Sequence, residues 1–184
     1  MKIVLGSKSP RRKEILSLMG YDYEVRVSEA EEIIDKTNPK DVVASIAMQK
    51  ANNISIKGDE LLICADTIVV LDDLILGKPK DKADAYHMIS LIQGRSHFVY
   101  TAVCIKYQNQ YTEFVDEAKV EIFPMNDKEI NDYINTPEPY DKAGGYAIQG
   151  IFSKYIKEYV GDYYTIMGLP KNKLEKELKK IIND

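Results

Sequence analysis

Apolar positions along this chain fall into short runs separated by polar, glycine- or proline-bearing breaks, and the spacing of each run predicts an element. Residues 3–5 are apolar and stop at Gly6, which predicts a first strand. Ser9 before Pro10 is a helix start. Ile15, Leu16 and Met19 carry that helix to about Met19, where Gly20 fits its cap. Residues 21–27 are expected to be extended, and residues 28–37 form an acidic loop. Asn38-Pro39 opens a second helix to about Ile54. Residues 61–71 read as nearly continuous strand, broken only at Asp66-Thr67, with a turn at Asp72-Asp73 and a short run at Ile75-Leu76. A third helix starts at Asp81 or Lys82 and runs to about Gln93, with Ala85, Ile89 and Ile92 inward and Gly94 beyond it. Residues 97–107 and 111–123 predict a hairpin around Asn109. Asn126 with Glu129 three residues on predicts a capped helix to about Asn135, halted by Pro137 and Pro139. Two short β-like runs, 151–156 and 163–167, precede a final helix over 171–182 with Leu174, Leu178, Ile181 and Ile182 on one stripe.

Strands that are adjacent in places and separated by helices in others predict an α/β or α+β fold with a mixed sheet. The 184 residues are enough for one domain, 1–184, or for two tightly joined lobes, and there is no repeat, low-complexity tract or clear linker. Acidic residues number 29 against 25 basic, so the net charge of −4 provides no field for a nucleic-acid polymer. A local basic pocket for a small anion remains open. No apolar run is long enough to span a bilayer or serve as a signal peptide, so a cytoplasmic location is expected, with no membrane partner. Cys64 and Cys104 sit in apolar runs and read as buried thiols.

Several polar residues stand out from this pattern. Residues 141–150, Asp-Lys-Ala-Gly-Gly-Tyr-Ala-Ile-Gln-Gly, hold three glycines and a lone amide, Gln149, which can donate and accept as reading a base edge requires. Ser7, Ser9, Arg11 and Arg12 surround the first helix start, where orphan N–H groups attract anions. Two arginines in a first helical turn oppose the helix dipole, and a bound polyanion would remove that conflict; the plain alternative is a solvated surface pair. Asp66 interrupts an apolar strand. It reads as a metal ligand or general base at a strand end facing a cleft, or as the cap of a hairpin turn; with no Gly, Asn or Pro beside it, the cleft is favoured. Lys50 shares a helical stripe with Val43, Ala47 and Ile54, and extends either past the edge to water or into a phosphate pocket. Lys78, in the stiff Gly77-Lys78-Pro79 turn, is either aimed at phosphate or an ordinary loop lysine. Glu31 and Glu32 form an acidic surface run or, with Asp66, supply the oxygens that magnesium or manganese prefers. No Ser-His-Asp or Cys-His set is present, which disfavours nucleophilic catalysis.

Taken in order, Ser7–Arg12, Glu31-Glu32, Lys50-Ala51, Ala65-Asp66-Thr67, Gly77-Lys78-Pro79, residues 141–150, Gly161-Asp162-Tyr163 and Gly168-Leu169-Pro170 resemble the Maf family of nucleoside triphosphate pyrophosphatases, also called septum formation proteins. The resemblance spans residues 3–170, and the form of residues 141–150 is similar to the subfamily acting on dTTP and UTP. It implies an elongated mixed-sheet α/β fold with flanking helices and a central cleft, shared with the inosine triphosphate pyrophosphatases. It also implies hydrolysis of a nucleoside triphosphate to the monophosphate and pyrophosphate, a divalent cation (Mg, Mn or Co) and a homodimer. By resemblance Asp66 is the proton acceptor, with Lys50 and Lys78 beside it in catalysis. Arg11, Thr67 and Gln149 fall on positions of base selectivity. Ser7, Ser9, Arg12, Lys50 and Lys78 fall on phosphate-contacting positions, and Glu31 or Glu32, with Asp66, on metal-binding ones. Two rival readings are a nucleotide-binding regulator of cell division with little hydrolysis and a pyrophosphatase for 7-methyl-GTP. Gln149 favours a pyrimidine, because its amide can pair with the O4 and N3 edge of uracil or thymine.

Overall fold

The nearly continuous apolar run of residues 61–71 becomes the central strand of the sheet. The computed structural model describes residues 1–183. Its elements are β1 (Lys2–Leu5), α1 (Pro10–Leu18), β2 (Tyr23–Val25), α2 (Pro39–Asn52), β3 (Glu60–Leu71), β4 (Leu74–Leu76), α3 (Lys82–Ile92), β5 (Ser96–Tyr107), β6 (Gln110–Ile122), α4 (Asp127–Ile134), β7 (Ile156–Val160), α5 (Tyr163–Met167) and α6 (Lys171–Asn183). The strands form one seven-stranded sheet in the order β2-β1-β3-β5-β6-β7, with β4 also paired to β3. β1 runs parallel to β2 and β3, and the other pairings are antiparallel. The expected mixed sheet with flanking helices is therefore what the chain forms.

Alternation along β3 sorts the core. Leu62, Cys64, Ile68 and Val70 face α2 and pack with its Val43, Ala47 and Ala51. On the opposite face the first half of β3, Leu61, Ile63 and Ala65, packs with Ile15, Leu16, Leu174 and Leu178. The second half, Val69 and Leu71, packs with Ile89, Ile92, Ile130 and Phe152. Ile182, expected on the buried stripe of the last helix, is instead 46% exposed, because Leu174 and Leu178 already fill the contact.

One edge of β3 is interrupted. β1 pairs with it only as far as Leu5 opposite Ile63, and β4 begins at Leu76 opposite Val69. Residues 64–68 therefore have no strand neighbour on that side, while β5 pairs continuously on the other, Asp66 opposite Ala102 and Thr67 opposite Thr101. Asp66 thus lies in mid-strand, not at a strand end or in a turn. The cleft reaches it through the gap in the sheet edge.

Three local expectations are corrected. Residues 151–156 are not a strand: Ile151–Tyr155 is a 3-10 turn. The Glu138 carboxylate accepts from the N–H groups of Ile151 at 2.6 Å and Phe152 at 3.1 Å, an end-cap contributed from 13 residues away. Residues 163–167 are the helix α5. Asp162 caps it by accepting from Tyr164 N–H, and Gly168 at φ +107° ends it. Between them β7 completes the sheet, and the extended run 21–27 shortens to β2.

The glycine-rich segment folds down onto β3. Gly144 N–H donates to Gly77 O at 3.0 Å, and a Cβ at Gly144 would lie 2.9–3.0 Å from three carbons of Val69. Its φ is +69°, so a side chain there is both strained and crowded. Gly144→Ala is expected to lower stability by about 2 kcal/mol or more, read as a fall in urea midpoint; an unchanged midpoint would contradict this packing.

Candidate active site

The edge gap opens into a cavity of about 620 Å³, within the size range of small-molecule sites. A second chamber of about 380 Å³ adjoins it, around the β1–α1 junction. Ser9, Arg11, Arg12, Lys50, Lys78 and Asp141 line both. Ser7 lines only the smaller chamber; Glu32, Asp66, Thr67 and Gln149 line only the larger. Ten of the eleven residues singled out from the sequence therefore converge. Glu31 is exposed and is not among the lining residues.

Lys50 comes from α2 and Asp66 from the α2-facing side of β3, and their Nζ and Oδ1 are 2.6 Å apart. Glu32, from the acidic loop, places Oε1 3.0 Å from the same ammonium. The Lys50 stripe therefore points into the cavity and not to water. The loop carrying Glu32 is tied to α2 through Gln49, which accepts from Ile33 N–H at 2.9 Å and donates to Ile33 O at 2.8 Å.

The two arginines are held from the far end of the chain. Arg11 Nε donates to Met167 O at 3.3 Å, and Arg12 Nε to Gly168 O at 2.8 Å. Arg12 also donates to Ser7 Oγ at 3.1 Å and Thr67 Oγ1 at 3.2 Å. Burial lowers the pKa of both guanidiniums, opposed at Arg12 chiefly by Asp66 and at Arg11 by Asp141 and Glu138. Two partly desolvated cations beside orphan helix N–H groups form a site that favours a polyanion. Ser9 occupies the N-cap position of α1, but its side chain makes no cap bond. Ser7 accepts from Ser9 N–H at 3.2 Å, and its own proton remains available to a ligand. Lys78 is exposed at the rim and has no ion-pair partner among the described residues.

Most of the other residues that line the larger cavity are apolar, with Asp141, Lys142 and Gln149 the polar exceptions. Val42, Ile46 and Ile68 form one wall, and Val99, Tyr146, Ala147 and Ile166 another, with Gln149 among them. Cations and hydroxyls shared with the smaller chamber, together with apolar surface and one amide in the larger, suit a ligand with a polyanionic tail and a flat, hydrogen-bonding head.

Three contributors escaped the sequence reading. Lys142 lines the cavity, donating to Glu138 O at 2.8 Å and pairing with Asp141; its place in the Asp-Lys pair of the glycine-rich segment was the available signal. Glu138 holds the turn that follows Gln149, and a Cβ on Gly150 would lie 2.1 Å from its Oε2. His97 is buried beneath Tyr146, its Nε2 2.6 Å from the phenol oxygen. The last two had no local sign in the sequence. The cysteines behave as expected: both are free and buried, and burial pushes their thiols up to about 12.

Comparison with known proteins agrees with this geometry. Two Ham1 proteins of known structure, from Staphylococcus aureus and Coxiella burnetii, each superpose with a TM-score of 0.52 at 12% identity, covering 98–100% of this chain and 98–99% of theirs, which establishes a shared fold. A protein of Thermoanaerobacter named dTTP/UTP pyrophosphatase is 45% identical over 98% of this chain and 96% of its own length. One of Bacillus anthracis with the same name is 43% identical over 97% and 95%. The model of the Maf-like protein family matches residues 2–181, and with this coverage the chain belongs to the Maf family.

Proposed function

We propose that this protein hydrolyses nucleoside triphosphates, with dTTP and UTP preferred, to the monophosphate and pyrophosphate. The observation that carries the proposal is the Asp66–Lys50–Glu32 cluster. It sits where a chamber lined by serines and arginines meets one lined by apolar residues and Gln149. The names of the 43–45% identical relatives support the same substrates.

In this reading Ser7, Ser9, Arg12, Lys50 and Lys78 take the phosphates, while Arg11 and Gln149 orient the base. Water adds across the bond between the α and β phosphates. Its oxygen joins the nucleoside monophosphate side, its proton passes to the Asp66 carboxylate, and the bridging P–O bond breaks to release pyrophosphate. Charge developing on the phosphate oxygens is met by the surrounding cations. A divalent cation fits the donors present. Glu32 and Asp66 already converge on one positive charge, the Lys50 ammonium. Two carboxylates completed by phosphate oxygens and water is the coordination magnesium favours. Asp66 and Glu32 would hold the ion, which would supply further neutralisation of phosphate charge. By family resemblance the proposal extends to a homodimer in the cytoplasm. Two buried, protonated thiols suit a reducing compartment, and no helix among the described residues is long and apolar enough to cross a membrane.

Pyrophosphate release from a panel of nucleoside triphosphates, with magnesium, manganese or cobalt and a chelator control, tests the reading. Metal-dependent release led by dTTP and UTP is expected. Binding without release from any nucleotide would point to a regulatory binder. Gln149→Glu replaces an amide with an acceptor-only group, so kcat/KM for UTP and dTTP should fall about tenfold or more relative to CTP. Equal loss for every base would show that Gln149 does not read the base.

A further inference from the structure

Gln149 is exposed on the wall of the larger cavity, and its amide has no hydrogen-bond partner among the described residues. Such an amide reads an edge only if the backbone beneath it is held still. Upstream, Tyr146, Ala147 and Ile148 are all buried, and Gly150 N–H closes a turn onto Ala147 O at 3.3 Å. Downstream, one side chain holds the chain. Glu138 accepts through Oε2 from Ile151 N–H at 2.6 Å. Through Oε1 it accepts from Phe152 N–H and from the Tyr133 hydroxyl, each at 3.1 Å.

Glu138 itself stands on a stiff base. It lies between Pro137 and Pro139, whose φ angles are fixed by their rings. Its N–H donates to Thr136 Oγ1 at 3.4 Å, and its carbonyl accepts from Lys142 Nζ at 2.8 Å. Gly150 bears the mark of the same contact. Its φ of −97° lies outside the left-handed region that favours glycine, so backbone freedom does not call for glycine there. A Cβ on it would instead lie 2.1 Å from Glu138 Oε2, 2.5 Å from Cδ and 2.7 Å from Oε1. The carboxylate occupies the space that a side chain next to Gln149 would take. An amide could not replace it: three donors converge on two oxygens, and glutamine offers one oxygen and an NH₂ group that cannot accept. Glu138 lines neither chamber.

We propose that Glu138 is a positioning residue for base recognition, fixing the turn that carries Gln149 and so contributing to the choice of base from outside the cavity. This rests on the base-reading role proposed for Gln149.

The test compares wild type, Glu138→Gln, Gly150→Ala, Gln149→Ala and the double variant Glu138→Gln/Gln149→Ala. Two quantities are read: kcat/KM for UTP, dTTP and CTP, and calorimetric binding of inorganic tripolyphosphate, which has no base. Glu138→Gln is expected to lower kcat/KM for UTP and dTTP about tenfold relative to CTP, with tripolyphosphate affinity unchanged. Gly150→Ala, which pushes the carboxylate aside, should shift the ratio in the same direction. In the Gln149→Ala background Glu138→Gln should shift it no further. That background also isolates a second route, because the Glu138 charge favours the charged form of Arg11. A ratio that stays at the wild-type value in Glu138→Gln, with all three nucleotides losing equally, would reduce Glu138 to a structural role and overturn the proposal. A full shift persisting without Gln149 would overturn it too, since the effect would then run through Arg11. Gln149→Ala with an unchanged ratio would refute base reading itself, and the proposal with it. If Glu138→Gln melts too low to assay, Gly150→Ala decides alone. Should the wild type release no pyrophosphate, the hydrolytic reading fails by itself, and the affinity ratio for non-hydrolysable UTP and CTP analogues judges Glu138 instead.

Discussion

Replacing Asp66 by Asn is expected to cut pyrophosphate release from UTP by about 10²–10⁴-fold, the range attributed to a single well-placed base. Asn keeps the shape of the side chain and an oxygen that can accept from Lys50, but it cannot take up a proton from water. The fold should tolerate the change. Lys50 keeps its pairing with Glu32 at 3.0 Å, so no half-buried cation is left alone, and the continuous β3–β5 pairing does not depend on the side chain. The melting temperature and the binding of a non-hydrolysable UTP analogue are therefore expected to stay close to wild type. A folded Asp66→Asn protein with undiminished turnover would remove Asp66 from the chemistry and leave it a structural partner of Lys50.

The second large effect is on stability and comes from His97. Burial lowers its pKa from 6.5 to about 4, and its Nδ1 has no hydrogen-bond partner. The folded protein holds this imidazole neutral, while the unfolded chain binds a proton below about pH 6.5. Stability is therefore at its full value above that pH and falls as the pH drops from about 6.5 to 4, by roughly 3 kcal/mol in all. Carboxylates held low by partners act further down: Glu60, lowered to about 2 mainly by Arg26, begins to cost stability only below its ordinary value of 4.5. Urea denaturation at a series of pH values separates the two windows. His97→Gln should flatten the upper one while retaining the lower. A variant with the wild-type slope between pH 6.5 and 4 would show that the protonation lies elsewhere. Because His97 supports Tyr146 in the cavity wall, the same acid range should loosen the wall that carries Gln149.

What could be read from the sequence was what neighbours in the chain decide. The hairpin of β5 and β6 closes over Gln108 and Asn109 as its spacing implied, and the Asn126–Glu129 capping box starts α4 where its residue types indicated. The glycines of residues 141–150, the paired arginines and the odd carboxylate in an apolar strand pointed to the site because each breaks a local rule, and such breaks collect at functional sites. What stayed hidden depends on partners far along the chain. The turn at Ile151 needs Glu138, α5 replaces an apparent strand because Asp162 and Gly168 bracket it, and the Thr67 hydroxyl is oriented by residues 34 and 98 positions away. The interruption in the edge of β3 is a property of three strands together, and no single stretch of sequence records it.

That interruption also separates what can drift from what cannot. Asp66 and Thr67 are consecutive residues on opposite faces of one strand, so a single peptide unit, about 3.3 Å of rise, sets the distance between the proposed proton acceptor and the anchor of Arg12. No loop length enters that distance. A slip of one residue between β3 and β5 would exchange the two faces and disable both together. Gln149 and Glu32, by contrast, ride on segments outside the sheet, tethered by Glu138 and Gln49. Substrate preference can therefore be retuned by remodelling the tethered segments, while the hydrolytic step stays locked to the register of the sheet.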